Sequence, residues 1–208
     1  MIEKSTLFLY NEPMKIGKGL FKGKTLISAP LPNLRPTLGR VKETFFGIIE
    51  NYADFDDAVV CDFFSGTGNL GLESVSRGAR TVYFIENNKD SLSLVKQNIA
   101  LCKSETKSSI IFQDVFSAVD TLVRQAVHAD IVILDPPFRQ DYMNRLFAHP
   151  QFHLIIHPSG ILACEVERNY TIQFDDSLWT LLKERQMAES MLYFLRRNDE
   201  KSNIPGDI

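Results

Sequence analysis

Two short stretches of the sequence carry groups suited to chemistry. In IVILDPPF (131–138), four apolar residues run directly into Asp135, Pro136, Pro137 and Phe138. Each proline has a fixed φ and no N–H, and each confines the residue before it to extended backbone. The segment is therefore stiff, with few backbone donors to compete for its carboxylate and carbonyls. Acceptors without donors suit an exocyclic amino group. The Asp135 carboxylate and the Pro136 carbonyl can hold its two N–H bonds, which turns the nitrogen lone pair out of the ring plane. Phe138 offers a face on which a base can stack. The chemistry implied is in-line transfer of a small group to a base amine, accelerated mainly by positioning, with no metal and no covalent enzyme intermediate. The base must leave its stack to enter such a site. A strand-ending Asx-Pro turn is the plain alternative for these residues.

The second stretch, CDFFSGTGNLGLE (61–73), places Gly66, Gly68 and Gly71 in a GxGxxG spacing between a strand and a helix. Small residues let backbone approach a cofactor closely, and Glu86, twenty positions after Gly66, can accept hydrogen bonds from ribose hydroxyls. A nicotinamide dinucleotide and S-adenosylmethionine both fit this fingerprint. Asp62 favours the second, because a carboxylate there repels a pyrophosphate and suits a cationic amino-acid tail. Asp62 could equally tie down the loop through backbone N–H groups. Asp114 closes the third strand over the same edge and can accept from an adenine amino group, or simply cap the next helix. Phe64, Asn87 and Val115 fall beside these positions and join the candidate cofactor set.

The elements that must position these groups alternate regularly. Strands are expected over 58–64, 81–86, 109–114, 129–135 and 160–167. Helices are expected over 70–77, 88–102, about 115–126 and in the 140s. Two final strands lie within LWTLLKERQMAESMLYFLRR (178–197). The first strand, AVVCDFF (58–64), shows no alternation, so it is buried on both sides. The expectation is an α/β fold, a doubly wound, Rossmann-like, seven-stranded and mainly parallel sheet with helices on both faces. Ligands in such sheets bind beyond the carboxyl ends of the strands, where strand order reverses. Ahead of the sheet, MKIGKGLFKGKTLIS (14–28) reads as a small β-hairpin and APLPNLRP (29–36) as a linker. Thr37 is placed to cap a helix with Val41, Phe45, Ile48 and Ile49 on one face. The organisation expected is a basic hairpin and linker over 1–36, a catalytic domain over 37–198 and a polar tail over 199–208.

The bulk properties narrow the class. With 208 residues, 44% hydrophobic and 24% charged, the composition is that of an ordinary globular domain rather than a disordered chain. No apolar run is long enough to span a membrane and no export signal is read at the N-terminus, so a cytoplasmic location is expected. Cys61, Cys102 and Cys164 lie in apolar contexts and read as reduced core thiols. The net charge is −3, yet residues 1–50 hold eight Lys/Arg against four Asp/Glu. A basic N-terminal arm on an acidic body suits a polyanion-facing appendage, although a solvated surface would look the same. His149, His153 and His157 recur every four residues, but Pro150 and Pro158 break the helix that would stack them, so no metal site is expected. Ser65 and Ser159 have no base nearby in sequence, which leaves hydrolase chemistry unsupported.

DPPF after a fourth strand resembles the (D/N)PP(Y/F/W) motif of class I methyltransferases that modify exocyclic amines. DFFSGTGNLGLESVSRGA (62–79) resembles the first motif of the RsmD-type family of 16S ribosomal RNA guanine-N2 methyltransferases. RPTLGRVKETFF (35–46) and GLFKGKTL (19–26) are similar to that family's RPT segment and basic hairpin. The resemblance runs from about residue 15 to residue 197, and Gly39 departs from it where the family commonly has a polar residue. It implies S-adenosylmethionine as cofactor, with Asp62, Gly66, Gly68, Glu86 and Asp114 lining it. It implies 16S rRNA in the small ribosomal subunit, or an assembly intermediate of it, as partner and a guanine as substrate, held by Asp135, Pro136, Pro137 and Phe138. Lys22 and Lys24 of the hairpin and Arg35, Thr37, Arg40 and Glu43 of the RPT segment would lie near the site or the RNA. Three other readings stand beside it. They are an amino-methyltransferase acting on adenine N6 of DNA or RNA, a dinucleotide-dependent oxidoreductase, and a ribosome-assembly factor without catalysis.

Overall fold

Apolar strands without in–out alternation must be covered on both sides, and the computed structural model of the chain is built accordingly. It describes residues 14–28, 39–138 and 140–198. The strands are β1 (Val59–Phe63), β2 (Thr81–Glu86), β3 (Ser108–Phe112), β4 (Ala129–Leu134), β5 (Ile156–Glu167), β6 (Trp179–Met187) and β7 (Ser190–Arg197). The helices are α1 (Gly39–Ile49), α2 (Asn69–Arg77), α3 (Lys89–Cys102), α4 (Val115–Arg124) and α5 (Tyr142–Phe147). The sheet order is β3-β2-β1-β4-β5-β7-β6. All pairs from β3 to β5 are parallel, and β7 runs antiparallel to both β5 and β6. Strand order reverses at β1 and β4, which pair directly, Phe63 opposite Leu134.

Side chains two apart share a face of a strand, and the two faces bury two cores. Val60, Phe84, Ile131, Ile133, Ala163, Leu192 and Phe194 pack beneath α1, α2 and α3 with Phe45, Phe46, Ile49 and Leu72. Cys61, Phe63, Ile85, Val132, Leu134, Cys164 and Leu195 pack beneath α4 and α5 with Val119, Leu122, Met143 and Leu146. Trp179 is fully part of the second core, edge-on to Phe147 at 5.4 Å. The outer strand β6 exposes Lys183, Glu184 and Arg185, charges that discourage further strand pairing.

Two strand boundaries differ from the sequence reading by more than one residue. The third strand stops at Phe112, because Asp114 turns out of the ladder to cap α4. The fifth begins at Ile156 rather than at residue 160. Its register shifts opposite Ala129 and Ile131, and Pro158, which has no N–H, precedes Ser159 at a φ of +70°. The three histidines separate between the end of α5, a 3-10 turn (Phe152–Ile155) and β5. Among the described residues no cluster of three metal-ligating side chains forms, and no helix is long and apolar enough to cross a membrane.

The expected hairpin is present as a two-armed loop closed by a Lys15–Thr25 bridge. Met14 receives the Thr67 hydroxyl on its sulfur, at the start of α2. The Gly17 and Lys18 N–H groups donate to the Glu73 carboxylate at 2.7 and 3.0 Å, midway along the helix. Leu20 N–H donates to the Ser76 carbonyl at 2.7 Å, near its end. The returning arm lies on α3, where Ile27 and Asn98 exchange hydrogen bonds at 2.7 and 2.9 Å. Ile16 and Leu26 point into the first core.

Gly19 and Gly23 both adopt left-handed backbone, at φ of +83° and +82°. A Cβ on Gly19 would lie 1.7 Å from the Ser76 carbonyl oxygen, whereas one on Gly23 meets nothing within 4 Å. Both alanine variants carry the left-handed strain of about 1–2 kcal/mol, but only Gly19→Ala must also undock the turn. Urea unfolding is expected to show Gly19→Ala less stable than Gly23→Ala by at least about 1 kcal/mol. Equal losses would mean the turn does not bear on α2 in solution.

Candidate active site

Parallel pairing brings the carboxyl ends of β1 to β5 to one edge, and the chemistry-bearing residues lie along it. Next to the reversal point, the chain leaves β1 through Phe64, which has a φ of +62°. That conformation is rare for a residue with a Cβ and marks a forced turn. Ser65 locks it, its hydroxyl donating to the Asp62 carbonyl at 2.7 Å and its N–H to the Ile85 carbonyl at 3.1 Å. Gly66 and Gly68 follow with φ of +56° and +79°, and Gly68 leads into α2. Gly71 has no room for a side chain: a Cβ would lie 2.3 Å from the Phe84 ring and 2.8 Å from the Asp62 carboxylate. Its absence lets α2 settle directly on the sheet.

The N–H groups of the three glycines already have partners within the protein. Glu86 Oε2 accepts from Gly66 at 2.8 Å, the Ser65 carbonyl from Gly68 at 2.7 Å, and Asp62 Oδ2 from Gly71 at 2.9 Å. The other Glu86 oxygen accepts from Asn87 and Asn88 at 2.9 and 2.8 Å. Asp62 is 1% exposed. Burial pushes its carboxyl up to about 7, against the Gly71 hydrogen bond, which lowers it, and with the Glu86 charge, which raises it. Asp114 caps α4, accepting from the Phe116 and Ser117 N–H groups at 3.1 Å each and from the Ser117 hydroxyl at 2.5 Å. The Ser117 hydroxyl is the main cause of its lowered pKa. Val115, buried, opens α4.

Asp135 follows Leu134 and is thereby level with Phe64 across the β1–β4 pair. Pro136 is buried, and Asp135, Pro137 and Phe138 are half-buried. The segment's continuation is fastened from a neighbouring loop. The Tyr170 hydroxyl donates in a short hydrogen bond to Asp141, and the Asn144 N–H donates to the Tyr170 oxygen at 3.2 Å. Asn144 Oδ1 in turn accepts from Gln173 N–H at 2.8 Å.

The structure thus gathers Asp62, Phe64, Gly66, Gly68, Glu86, Asn87, Asp114, Val115, Asp135, Pro136, Pro137 and Phe138 at one edge. It does not bring the hairpin lysines there. Lys22 is exposed at the turn, which lies at the far end of α2. Lys24 donates to the Leu101 carbonyl at the end of α3 at 2.9 Å and lies over the Phe21 ring. Arg40 is exposed in the first turn of α1, whose Lys42 touches Asn69 at the site end of α2. Arg35, Thr37 and the linker lie outside the described residues.

Sequence reasoning missed three parts of this region. Tyr142 packs edge-on to Phe64 at 4.9 Å and stacks on Phe116, over which Arg145 lies at 4.2 Å. These rings line the mouth beside the Gly-rich turn, and nothing in their spacing announces it. Glu165 and Ser190 meet between β5 and β7, and an acid inside the apolar run ILACEV was the available signal. Lys42, Glu73 and Asn98 hold the hairpin, and a charged residue on a core-facing helix position was the signal there. The pocket lined by Asp54, Asp56, Asp130 and His157 is at the opposite edge of the sheet, away from all of these.

A parallel sheet that reverses at β1/β4, an antiparallel β7 inserted between β5 and β6, a Gly-rich turn after β1 and an acid at the end of β2 define the class I methyltransferase fold. Solved structures agree. The proposed methyltransferase yhhF of Escherichia coli superposes with a TM-score of 0.71 at 26% identity, over 91% of this chain and 100% of that one. An RNA methyltransferase from Salinibacter ruber, in complex with S-adenosyl-L-homocysteine, shares the fold at a TM-score of 0.59 and 19% identity, over 83% and 98%. Residues 14–196 match the family model described as Conserved hypothetical protein 95. The chain belongs to that family, the RsmD family. The relative named ribosomal RNA small subunit methyltransferase D in Haemophilus influenzae is 30% identical over 83% of this chain and 88% of its own length. The protein of the same name in Escherichia coli K12 is 26% identical over 93% and 94%.

The buried Asp62 makes a pH test of the loop. An unfolded aspartate titrates near 3.9 and the folded one at about 7. Between these values the native state keeps a proton that the unfolded state has lost, so stability falls as pH rises through this window and levels off above it. Asp62→Asn removes the titration. Its stability relative to the parent is expected to rise by on the order of 2–4 kcal/mol between pH 4 and pH 8. Urea unfolding at several pH values measures this, and parallel profiles would mean the carboxylate is ionised throughout.

Proposed function

We propose that the chain is an S-adenosylmethionine-dependent RNA methyltransferase that acts on the exocyclic N2 of a guanine in 16S rRNA of the small ribosomal subunit or its assembly intermediate. The observation that carries this is the alignment of the stiff DPPF segment with the Gly-rich turn across two paired strands, Phe63 opposite Leu134. The family membership and the names of the relatives support the substrate class.

The groups at the edge suit this cofactor. A dinucleotide is held through its pyrophosphate by loop N–H groups, but here those of Gly66, Gly68 and Gly71 are taken by Glu86, Ser65 and Asp62. The edge instead offers carboxylates, which match hydroxyls, an adenine amino group and a positive charge. Glu86 would accept from the ribose, Asp114 would lie toward the adenine with Val115, and Asp62, Phe64, Gly66, Gly68 and Asn87 would surround the rest. S-adenosylmethionine supplies an electrophilic methyl group on a sulfonium.

The protein's own part is to prepare the acceptor. A base amine is a poor nucleophile because its lone pair is delocalised into the ring. Asp135 and the Pro136 carbonyl accept its two N–H bonds and turn that lone pair toward the methyl group. Phe138 and Pro137 hold the ring by stacking. Backbone stiffness keeps both acceptors in place, and this positioning is the main source of acceleration. Lys22, Arg35, Thr37 and Arg40 would meet RNA beyond the target base. Lys24 also serves the end of α3.

Transfer of a radiolabelled methyl group to small subunits lacking the modification tests this reading, with the label mapped to a nucleotide and atom. Label on N2 of one 16S guanine is expected. Label on an adenine amino group, or none despite bound cofactor, would replace it. Asp135→Ala is expected to lower kcat at least about 10³-fold while the cofactor Kd changes less than about 3-fold. Collapse of cofactor binding would show that the acid serves the cofactor rather than the base. Lys22→Gln, at an exposed position, is expected to reduce the slope of log K against log salt for RNA binding by about 1. An unchanged slope removes the hairpin turn from the RNA surface.

A further inference from the structure

Arg145 is an exposed cation that is held in place without being neutralised. Its guanidinium lies 4.2 Å over the Phe116 ring. Phe116 stacks on Tyr142 with the ring planes 26° apart, and Tyr142 meets Phe64 edge-on at 4.9 Å. The three rings are half-buried and Arg145 is exposed, so burial falls along this line of contacts. The line starts at Phe64, level with Asp135 across β1 and β4, and ends at the protein surface.

The nearby acids are engaged elsewhere. Asp141 precedes Arg145 by four residues at the start of α5, the spacing at which an acid and an arginine pair well. Asp141 instead accepts from the Tyr170 hydroxyl. On α4 and its cap, Asp114 accepts from Ser117 and Asp120 faces His149 at 3.6 Å. Among the described residues Arg145 makes no ion pair. Resting on a ring restricts its long side chain, which lowers the entropy still to be lost when an anion arrives. The result is a preorganised guanidinium with its charge unspent.

The charge must suit a ligand of this edge. S-adenosylmethionine carries a net positive charge, which another cation repels. RNA presents a phosphate at every nucleotide, and an arginine fork bonds a phosphate through two parallel N–H groups. A base that leaves its stack also gives up contacts with its neighbours, and phosphate contacts are what fix register and orientation. We propose that Arg145, propped on Phe116 and Tyr142, binds a backbone phosphate of the RNA beside the flipped nucleotide. This rests on the RNA substrate proposed above. The rings then join the acceptor segment to the phosphate contact, so that base and backbone are held in a fixed relation.

The test measures binding of protein loaded with S-adenosyl-L-homocysteine to small subunits reconstituted on ligated 16S rRNA. One of the two linkages on either side of the target guanosine is made a neutral methylphosphonate, and the control carries the same deoxynucleotide with a normal phosphate. At one of these linkages the parent Kd is expected to rise at least about 5-fold. Arg145→Gln is expected to raise Kd by a similar factor on the control RNA, and by less than about 2-fold more on the neutralised one. Phe116→Leu, which keeps the cation and removes the ring beneath it, is expected to fall between parent and Arg145→Gln. The S-adenosylmethionine Kd is expected to change less than about 3-fold in both variants, which also shows that they are folded. Parental affinity of Arg145→Gln for the control RNA overturns the assignment. So do losses that multiply at every linkage, or a cofactor Kd that rises with that for RNA. Parental affinity of Phe116→Leu overturns the part given to the ring. Parent protein that binds no small subunits overturns the RNA reading as well.

Discussion

A fully buried carboxylate, that of Glu73, is the constraint on which this architecture turns. It sits on α2 and is balanced by Lys42 of α1 at 3.0 Å and by Arg77 one turn along α2 at 3.0 Å, and it accepts two backbone N–H bonds from the hairpin. Burying a charge costs several kcal/mol unless its partners are all in place. These partners come from three separate stretches of chain, so hairpin, α1 and α2 must assemble together. Burial pulls the Lys42 pKa down while Glu73 works against that, so Lys42 depends on Glu73 for its charged form. Lys42 reaches further, to the Lys15 carbonyl and the Asn69 side chain, and carries the arrangement to the start of α2.

The site inherits its rigidity from this assembly. The Gly-rich turn is buried beneath the residues that the hairpin and α3 bring over it, with Asn98 donating to the Thr67 carbonyl at 2.9 Å. Below it, Gly71 and Asp62 hold α2 against Phe84. A cofactor loop of this kind is preorganised from both sides, and preorganisation lowers the cost of ordering it on binding. The DPPF segment is stiff for a different reason. Two prolines set its backbone, and Tyr170 and Asn144 fasten the chain just beyond it.

Much of this was legible in the sequence, because the signals were local. The seven strands, their mainly parallel order and the Gly-rich turn could be read from apolar runs and turn residues, and DPPF from the restriction that proline places on its neighbours. What escaped was set by tertiary pairing. The end of β3 was read two residues too late, although the Asp114 cap of α4 was itself among the sequence readings. The early start of β5 depends on a bulge opposite Ala129, which no local pattern encodes. Lys24 reads as a free cation in a basic loop, and only the docking of the hairpin brings it to the open end of α3. Glu165 shows in sequence only as one acid among apolar residues. Its contact with Ser190 depends on the pairing of β5 with β7.

The position of β7 bears on how the chain reaches this state. It is the last strand of the described residues, yet it lies inside the sheet, between β5 and β6. Until it is synthesised, β5 has an open apolar edge from Ile161 to Val166, and β6 has no neighbour at all. A nascent chain shorter than about residue 190 therefore exposes an unpaired, aggregation-prone strand next to an otherwise formed parallel sheet. The insertion of β7 closes that edge and delivers the Ser190 hydroxyl to Glu165 in one event, so a buried acid on β5 gains this partner only when the last strand is in place.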